Sequence, residues 1–412
     1  MLYITLKNDK RLIVKSFNEI KYNFYNCKIN DLPKEMINLE ELELIYCDIK
    51  ELELIYYDIK ELPNTLINLK KLKLSNCYYI KEIPNTLINL KELEIDNCKN
   101  IKKIPDTLIN LKKLKLYERN IKIPDTLINL CSLHLYNRHI IEIPKTITNL
   151  KDLRLMKCDI IPNNLLNLKK LEIIDCENIK EIPNTLINLQ ELKIISVFDI
   201  INIIDIPNTL INLKYLYLWQ CNNIKEIPNT LINLKSLIIK DCNNIKEIPN
   251  TLINLKSLII KKCNYIIEIP DILINLEYLK INDCINIKEI SNTLINLKYL
   301  YLWKCKNIKE IPNTLINLKK LGICKCKNIN KISNTLINLQ KLKIYVNNIK
   351  ELPNTLINLK ILILAVCKNI KEIPKTLINL KKIYKCKCKK LKEIPKTLIN
   401  LKILNYSIQE KF

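Results

Sequence analysis

The stretch "IPNTLINLKSLIIKDCNNIKE" at residues 227–247 is followed at once by "IPNTLINLKSLIIKKCNYIIE" at 248–268. A unit of 21 residues is too short to enclose a core of its own, so its apolar face must be buried against the next copy. All sixteen prolines fall in one column of this repeat, from Pro33 to Pro395, and Ser291 and Ser333 fill that column in two further units. The step widens to 30 residues between Pro33 and Pro63, where "ELELIYCDIK" at 41–50 is copied as "ELELIYYDIK" at 51–60. Ten residues are too few for a whole coil, so an irregular bulge is expected there. A stack of repeats grows in one dimension, and 412 residues then read as a single domain.

Inside each unit a short stretch alternates, as in Leu69, Leu72, Leu74 and then Cys77, the period of a half-buried strand. The proline after "KEI" ends strand and helix alike. The return path "PNTLIN" is too short for an average helix and is predicted to be extended or 3₁₀, with its Leu and Ile both pointing inward. Gly322 is the single glycine, so another residue must supply the turns. The asparagine of "LINL" (Asn38, Asn68, Asn89 and onward to Asn400) is expected to bond its own turn backbone and to take the left-handed conformation.

"LKKLKLSNCYYIKEIPNTLIN" resembles the leucine-rich repeat, L-x-x-L-x-L-x-x-N/C-x-L, with cysteine at the Asn/Cys position. The likeness covers residues 19–409 in eighteen or so copies. It implies a right-handed, curved, α/β-type solenoid with a parallel sheet on its concave face. Short extended or 3₁₀ segments would line the convex face. The implied division is a capping segment over 1–16, the array over 17–404 and a tail over 405–412. It also places cysteines 27, 47, 77, 98, 158, 176, 221, 242, 263, 284, 305, 326, 367 and 388 in a buried ladder where the side chain caps backbone groups. Thiol, a small hydrophobe and weak donor, suits such a slot. Tyr57, Arg119, Arg138, Val197 and Asn347 depart from it, and order is expected to be poorest over 119–138. The Lys/Asn/Ile-rich composition resembles repeat proteins of giant DNA viruses and amoebae, which would make the chain a viral or amoebal protein, in the host cytoplasm if viral.

"MLYITLKNDKRLIVKSF" lacks the apolar core of a secretory signal, and no apolar run approaches a membrane span. The seventeen cysteines therefore read as free thiols of a reducing, intracellular and most simply cytoplasmic setting. A net charge of +25 favours nucleic acid, anionic membrane or acidic protein, although AT-rich coding also yields lysine. Known chemistry finds no foothold. One glycine excludes a phosphate cradle or a G-x-S-x-G elbow, and His134 and His139, the only histidines, have no acidic partner at a familiar spacing. Cys324/Cys326 and Cys386/Cys388 resemble half metal sites but should point to opposite faces, so no metal or cofactor is expected. Cys324 and Cys386 are expected to be exposed and oxidisable. The short flanks suggest no appended catalytic or F-box module.

What remains is a recognition surface. Side chains two, four and six positions before the ladder should face the concave side. There the early units carry Glu41, Glu43, Glu51, Glu53, Glu92, Glu94 and Asp96, and the late ones Lys320, Lys341, Lys343 and Lys382. Between them stand Tyr215, Tyr217 and Trp219, then Tyr278, then Tyr299, Tyr301 and Trp303, residue types enriched at binding hot spots. The second "NLKYLYLW" is either used or a passenger of duplication. At the strand entry Lys214, Lys235, Lys256, Lys298 and Lys319 belong to a stripe with no acidic column beside it. The expected function is a non-catalytic scaffold binding an unknown protein on the concave face. Polyanion binding by the lysine edge is the alternative.

Overall fold

The computed structural model describes residues 2–5, 11–14, 21–25, 37–45, 60–117, 121–136, 143–345, 348–392, 394–399 and 401–405. Expectations for Cys27, Cys47, Glu51, Glu53, Tyr57, Arg119, Arg138, His139, Asn347 and the bulge at 46–59 lie outside them. The chain forms two compact units, one of residues 1–189 with 200–202, the other of 190–199 with 203–412.

The first unit opens with an antiparallel pair, β1 (Leu2–Thr5) and β2 (Arg11–Val14). It continues with β3 (Lys21–Tyr25), β4 (Glu41–Ile45), β5 (Lys71–Ser75), β6 (Glu92–Asp96), β7 (Lys113–Leu116), β8 (Ser132–Tyr136), β9 (Asp152–Met156) and β10 (Lys170–Ile174). From β3 onward each strand pairs in parallel with the next. The second unit holds β11 (Glu191–Ile195), β12 (Tyr215–Trp219), β13 (Ser236–Lys240), β14 (Ser257–Lys261), β15 (Tyr278–Asn282) and β16 (Tyr299–Trp303). It ends with β17 (Lys320–Cys324), β18 (Lys341–Tyr345), β19 (Ile361–Ala365), β20 (Lys382–Cys386) and β21 (Lys402–Asn405), again parallel in chain order. Registers are unslipped, Leu237 lying opposite Leu258 and Leu258 opposite Leu279, because a one-residue slip would turn every leucine outward.

Each coil sends a fixed set of side chains inward. Leu237, Ile239, Cys242, Ile245, Leu252 and Leu255 are wholly buried, and Ile248 nearly so. The same positions on adjacent coils stack against them, so the core is a set of columns rather than a centre. No helix occurs among the described residues, which corrects the α/β expectation: the unit is a parallel β-solenoid whose return path is a run of turns. Proline starts that path, its carbonyl accepting from the leucine three residues on, as from Leu231 to Pro228. Where serine replaces it, the hydroxyl of Ser291 accepts from the Thr293 amide at 3.1 Å, a local turn that stands in for the fixed proline φ.

Two backbone expectations need correction. The "LINL" asparagines do not bond their own turn. In most described units Nδ2 reaches the preceding coil, as Asn233 to the Ile211 carbonyl and Asn254 to the Ile232 carbonyl, at 2.9 and 3.0 Å. The threonine of "PNT" does the same in most units, as Thr230 to Asn208 and Thr251 to Asn229. These ladders satisfy carbonyls that the turns leave without a backbone donor. The left-handed position is instead the residue just before the ladder cysteine, with φ of 53° at Gln220, 52° at Asp241 and 51° at Lys262. Asn, Asp, Lys, Gln and Val all fill that column, so strain ordinarily relieved by glycine is carried by side-chain-bearing residues and offset by packing of the coils.

The second correction concerns "LIN". Its leucine is buried, but its isoleucine is about half exposed, as at Ile232 and Ile253. Two turns in succession leave room for only one inward side chain.

The ladder cysteines behave as capping groups. Cys221 Sγ donates to the Ile194 carbonyl at 3.4 Å and Cys305 Sγ to that of Ile281 at 3.5 Å. Cys77, Cys98, Cys158, Cys176, Cys221, Cys242, Cys263, Cys284, Cys305, Cys326 and Cys367 are buried with free thiols. Cys388, near the end of the array, is only partly so. Burial pushes Cys176 and Cys263 up to about 12 and Cys284 to about 11, so these thiols stay protonated. Val197, which takes the place of cysteine in the ladder column, is exposed, and Ser196 before it is buried instead.

Candidate functional site

In most strands the alternating pattern places the first, third and fifth residues outward. The early face was expected to be acidic, yet it is balanced. Lys71, Lys73, Lys113 and Lys115 of β5 and β7 project from the strands that flank Glu92 and Glu94 of β6. Lys73 pairs with Glu43 at 2.8 Å and with Glu94 at 3.7 Å, and Lys115 reaches Glu94 at 2.8 Å. Further along, Arg154 lies 3.5 Å from Glu172. Opposite charges directly across a ladder stabilise it modestly, and here they close the face electrically.

His134 on β8 does find an acid, Asp152 on β9, at 3.3 Å. That carboxylate also accepts from Ser132 at 3.1 Å, and the His134 hydrogen bond holds Asp152 below the usual carboxylate range. Sequence reading missed the pair because the acid comes from the next coil. Ser, His and Asp are together, but both neighbours meet the same ring nitrogen, Nε2. A proton relay needs the two nitrogens on separate partners, so this is a structural cluster. Among the described residues no group of three or more His, Cys, Asp or Glu could hold a metal.

The second unit is different. Lysine fills outward positions at Lys193, Lys240, Lys261, Lys280, Lys320, Lys341, Lys343, Lys382 and Lys402, while Glu191 is the one acid at the outward positions of β11–β21. Aromatic side chains stand among them. Tyr215, Tyr217 and Trp219 line β12, and Tyr299, Tyr301 and Trp303 line β16, all half-buried. Four strand steps, about 19 Å, separate these walls, so the two triads do not touch. Tyr278 on β15 packs on the second, with ring centroids 6.2 Å from Tyr299 and 5.8 Å from Tyr301. Desolvation raises the Tyr278 and Tyr301 hydroxyls above their ordinary values.

Strand β17 is shaped to receive the second wall. A Cβ at Gly322 would sit 2.8 Å from Tyr301 Cδ1, closer than carbon atoms pack. The single glycine of the chain is thus where the Tyr301 ring lies against the neighbouring strand, and no positive φ is involved. Two residues on, Cys324 lies between Trp303 and Tyr345 in register. Those rings approach to 6.5 Å and leave Cys324 only 5 % exposed. The expectation of an exposed thiol is therefore wrong here: burial pushes Cys324 up to about 12. Cys386 on β20 is partly exposed, as expected. Tyr345 was not singled out from sequence, because it lies outside the repeated "YLYLW" and joins Trp303 only through β17.

Ammonium groups cover several rings. Lys240 lies 4.9 Å from the Tyr217 centroid, Lys320 5.0 Å from Tyr299, and Lys325 5.7 and 5.6 Å from Trp303 and Tyr345, within cation–π range.

The edge stripe is also less uniform than its lysines suggest. Lys214, Lys235, Lys256 and Lys319 are exposed, but Glu40 and Glu277 occupy the same column. They pair with Lys70 and Lys298, the latter at 2.7 Å, and Lys298 holds the Glu277 carboxyl below its usual range. No helix among the described residues is long and apolar enough to cross a membrane.

The coil is that of the leucine-rich repeat. A leucine-rich repeat protein of Leptospira interrogans matches it with a TM-score of 0.53 and 19 % identity, over 93 % of this chain and 95 % of the other. The Arabidopsis receptor kinase HAESA leucine-rich repeat ectodomain, solved with an IDA peptide hormone ligand, matches with a TM-score of 0.46 and 19 % identity, over 91 % of this chain and 75 % of that one. No protein-family model matches the chain, and no curated protein does. The chain therefore has the leucine-rich repeat fold.

Proposed function

We propose that this chain is a non-catalytic protein-recognition solenoid working in a reducing compartment, with the sheet face of its second unit as the binding surface. Tyr215, Tyr217, Trp219, Tyr278, Tyr299, Tyr301 and Trp303 are its anchors. The observation that carries this reading is the fit of β17 to β16: Gly322 makes room for Tyr301, and Cys324 lies under Trp303 and Tyr345. A duplicated triad that served nothing would not need a neighbouring strand with small residues at both positions. Half-buried aromatics held on a rigid sheet lose little entropy on contact, which is why such residues dominate interfaces. Buried ladder thiols, free among the described residues, support the reducing setting.

The edge alternative rests on Lys214, Lys235, Lys256, Lys298 and Lys319, and substitution separates the two. With a partner isolated from the source cell, Lys235→Gln, Lys256→Gln and Lys319→Gln together should leave affinity within about twofold, because exposed rim charges contribute little. If binding instead collapses, with a steep salt dependence, the edge is the site.

A further inference from the structure

The first unit answers its charges across its own strands, as Lys73 does with Glu43 and Glu94. The second cannot, since Glu191 is the one acid among its outward strand positions. Its ion pairs Lys262–Asp241, Lys298–Glu277 and Lys304–Asp283 involve residues just after the strands or at their entry, not the outward strand positions. Strands β13, β14 and β15, and again β17 and β18, each carry an outward lysine at steps of about 4.8 Å, and the outward strand positions supply almost no counter-charge. We propose, resting on the reading that this face is the recognition surface, that its partner presents an extended, Asp/Glu-rich polypeptide segment laid across β12–β18.

The shape suits such a segment. Between the two aromatic walls, β13 and β14 offer a floor of Ser236, Ile238, Ser257 and Ile259, low enough for a chain to lie on. Lys240 and Lys261 rise side by side at one end of that floor, and Lys280 on β15 closes it in line with Ile259. An extended peptide advances about 3.3 Å per residue, so one crossing β13 to β15 passes a lysine-bearing strand about every one or two residues. Carboxylates in such a run would each find an ammonium, with charge-assisted bonds stronger than neutral ones.

The aromatic rings argue against a nucleic acid strand. Bases bind by stacking on open ring faces, whereas Lys240 lies over Tyr217, Lys320 over Tyr299 and Lys325 over Trp303. The rings also tilt against one another, by 42° for Tyr278 and Tyr301. A base would have to displace these ammonium groups. A carboxylate adds to them from above and leaves each cation on its ring.

The test titrates the full chain with a fluorescein-labelled oligo-glutamate peptide, the matching oligo-glutamine, oligouridine of equal charge and phosphatidylserine vesicles. Oligo-glutamate should bind and oligo-glutamine should not. Lys240→Gln, Lys261→Gln and Lys280→Gln together should weaken the oligo-glutamate by about tenfold or more, since each removes a close charge contact. Lys235→Gln, Lys256→Gln and Lys319→Gln should leave it within about twofold. The acidic-segment inference is overturned if oligouridine or the vesicles bind as tightly as oligo-glutamate, or if the face substitutions have no effect. Should oligo-glutamate fail while a natural partner still shields Trp219 and Trp303, only the acidic chemistry falls and the face reading stands. If oligo-glutamate binds and is lost only with the edge lysines, both fall.

Discussion

Cys242→Lys should destabilise the second unit by about 3 kcal/mol or more and split its unfolding into two transitions. Cys242 is wholly buried, donates to the Lys240 carbonyl at 3.1 Å and accepts from the Cys221 amide at 3.4 Å. A lysine there must either bury an unpaired ammonium, at several kcal/mol, or swing out and leave the Cys221 amide without its acceptor. Swinging out also opens the column formed with Cys221 and Cys263. In a stack held by nearest-neighbour contacts, breaking one interface uncouples the coils before it from those after it. Calorimetry or urea unfolding followed by tryptophan emission reads this directly, and a single unchanged transition would count against it. Cys242→Ala serves as the control, because it removes the thiol contacts without adding charge and should cost much less.

Trp303→Ala should weaken partner binding by about 2 kcal/mol, the usual cost of truncating a hot-spot aromatic, while lowering stability by only about 0.5 kcal/mol, as at a partly exposed surface site. It should also expose Cys324, which Trp303 and Tyr345 cover together. In the intact chain that thiol should resist alkylation at neutral pH, and in the variant it should react. This second readout shows whether the cover was removed even when binding is unchanged. Trp219→Ala lacks such a buried neighbour: Trp219 faces Lys240 across the ladder. An equal loss of binding in both variants means that both walls touch the partner. Loss in Trp219→Ala alone would make the second triad a copy without use, and the room made by Gly322 would then be packing only.

The repeat, its strands, its inward columns and the cysteine ladder were legible because each depends on periodicity, and periodicity is written in the chain. Asn233 and Thr230 were not fully legible. A column of identical residues shows that a role exists, but whether the side chain bonds its own turn or the previous coil depends on the distance between coils. The left-handed position hid for a different reason: it carries Gln220, Asp241 and Lys262 where glycine or asparagine would announce it. The charge of the first face was misread by following Glu41, Glu43, Glu92 and Glu94 without the lysines of β5 and β7 in register with them. His134 with Asp152, and Cys324 beneath Trp303 and Tyr345, are contacts between coils. They require the register of neighbouring strands, which a single unit does not state.

Hydroxyl-radical footprinting of the chain, free and with the partner bound, tests most directly whether this face is the site. Both tryptophans of the chain lie on it, and aromatic rings are oxidised in proportion to their exposure. Phe198 and Tyr265, 65 % and 56 % exposed and outside the strands, provide internal references. Protection of Tyr217, Trp219, Trp303 and Tyr345 with Phe198 and Tyr265 unchanged is the expected result. Unchanged tryptophan oxidation, with protection confined to the segments around Lys235 and Lys256 at the strand-entry edge, would contradict it.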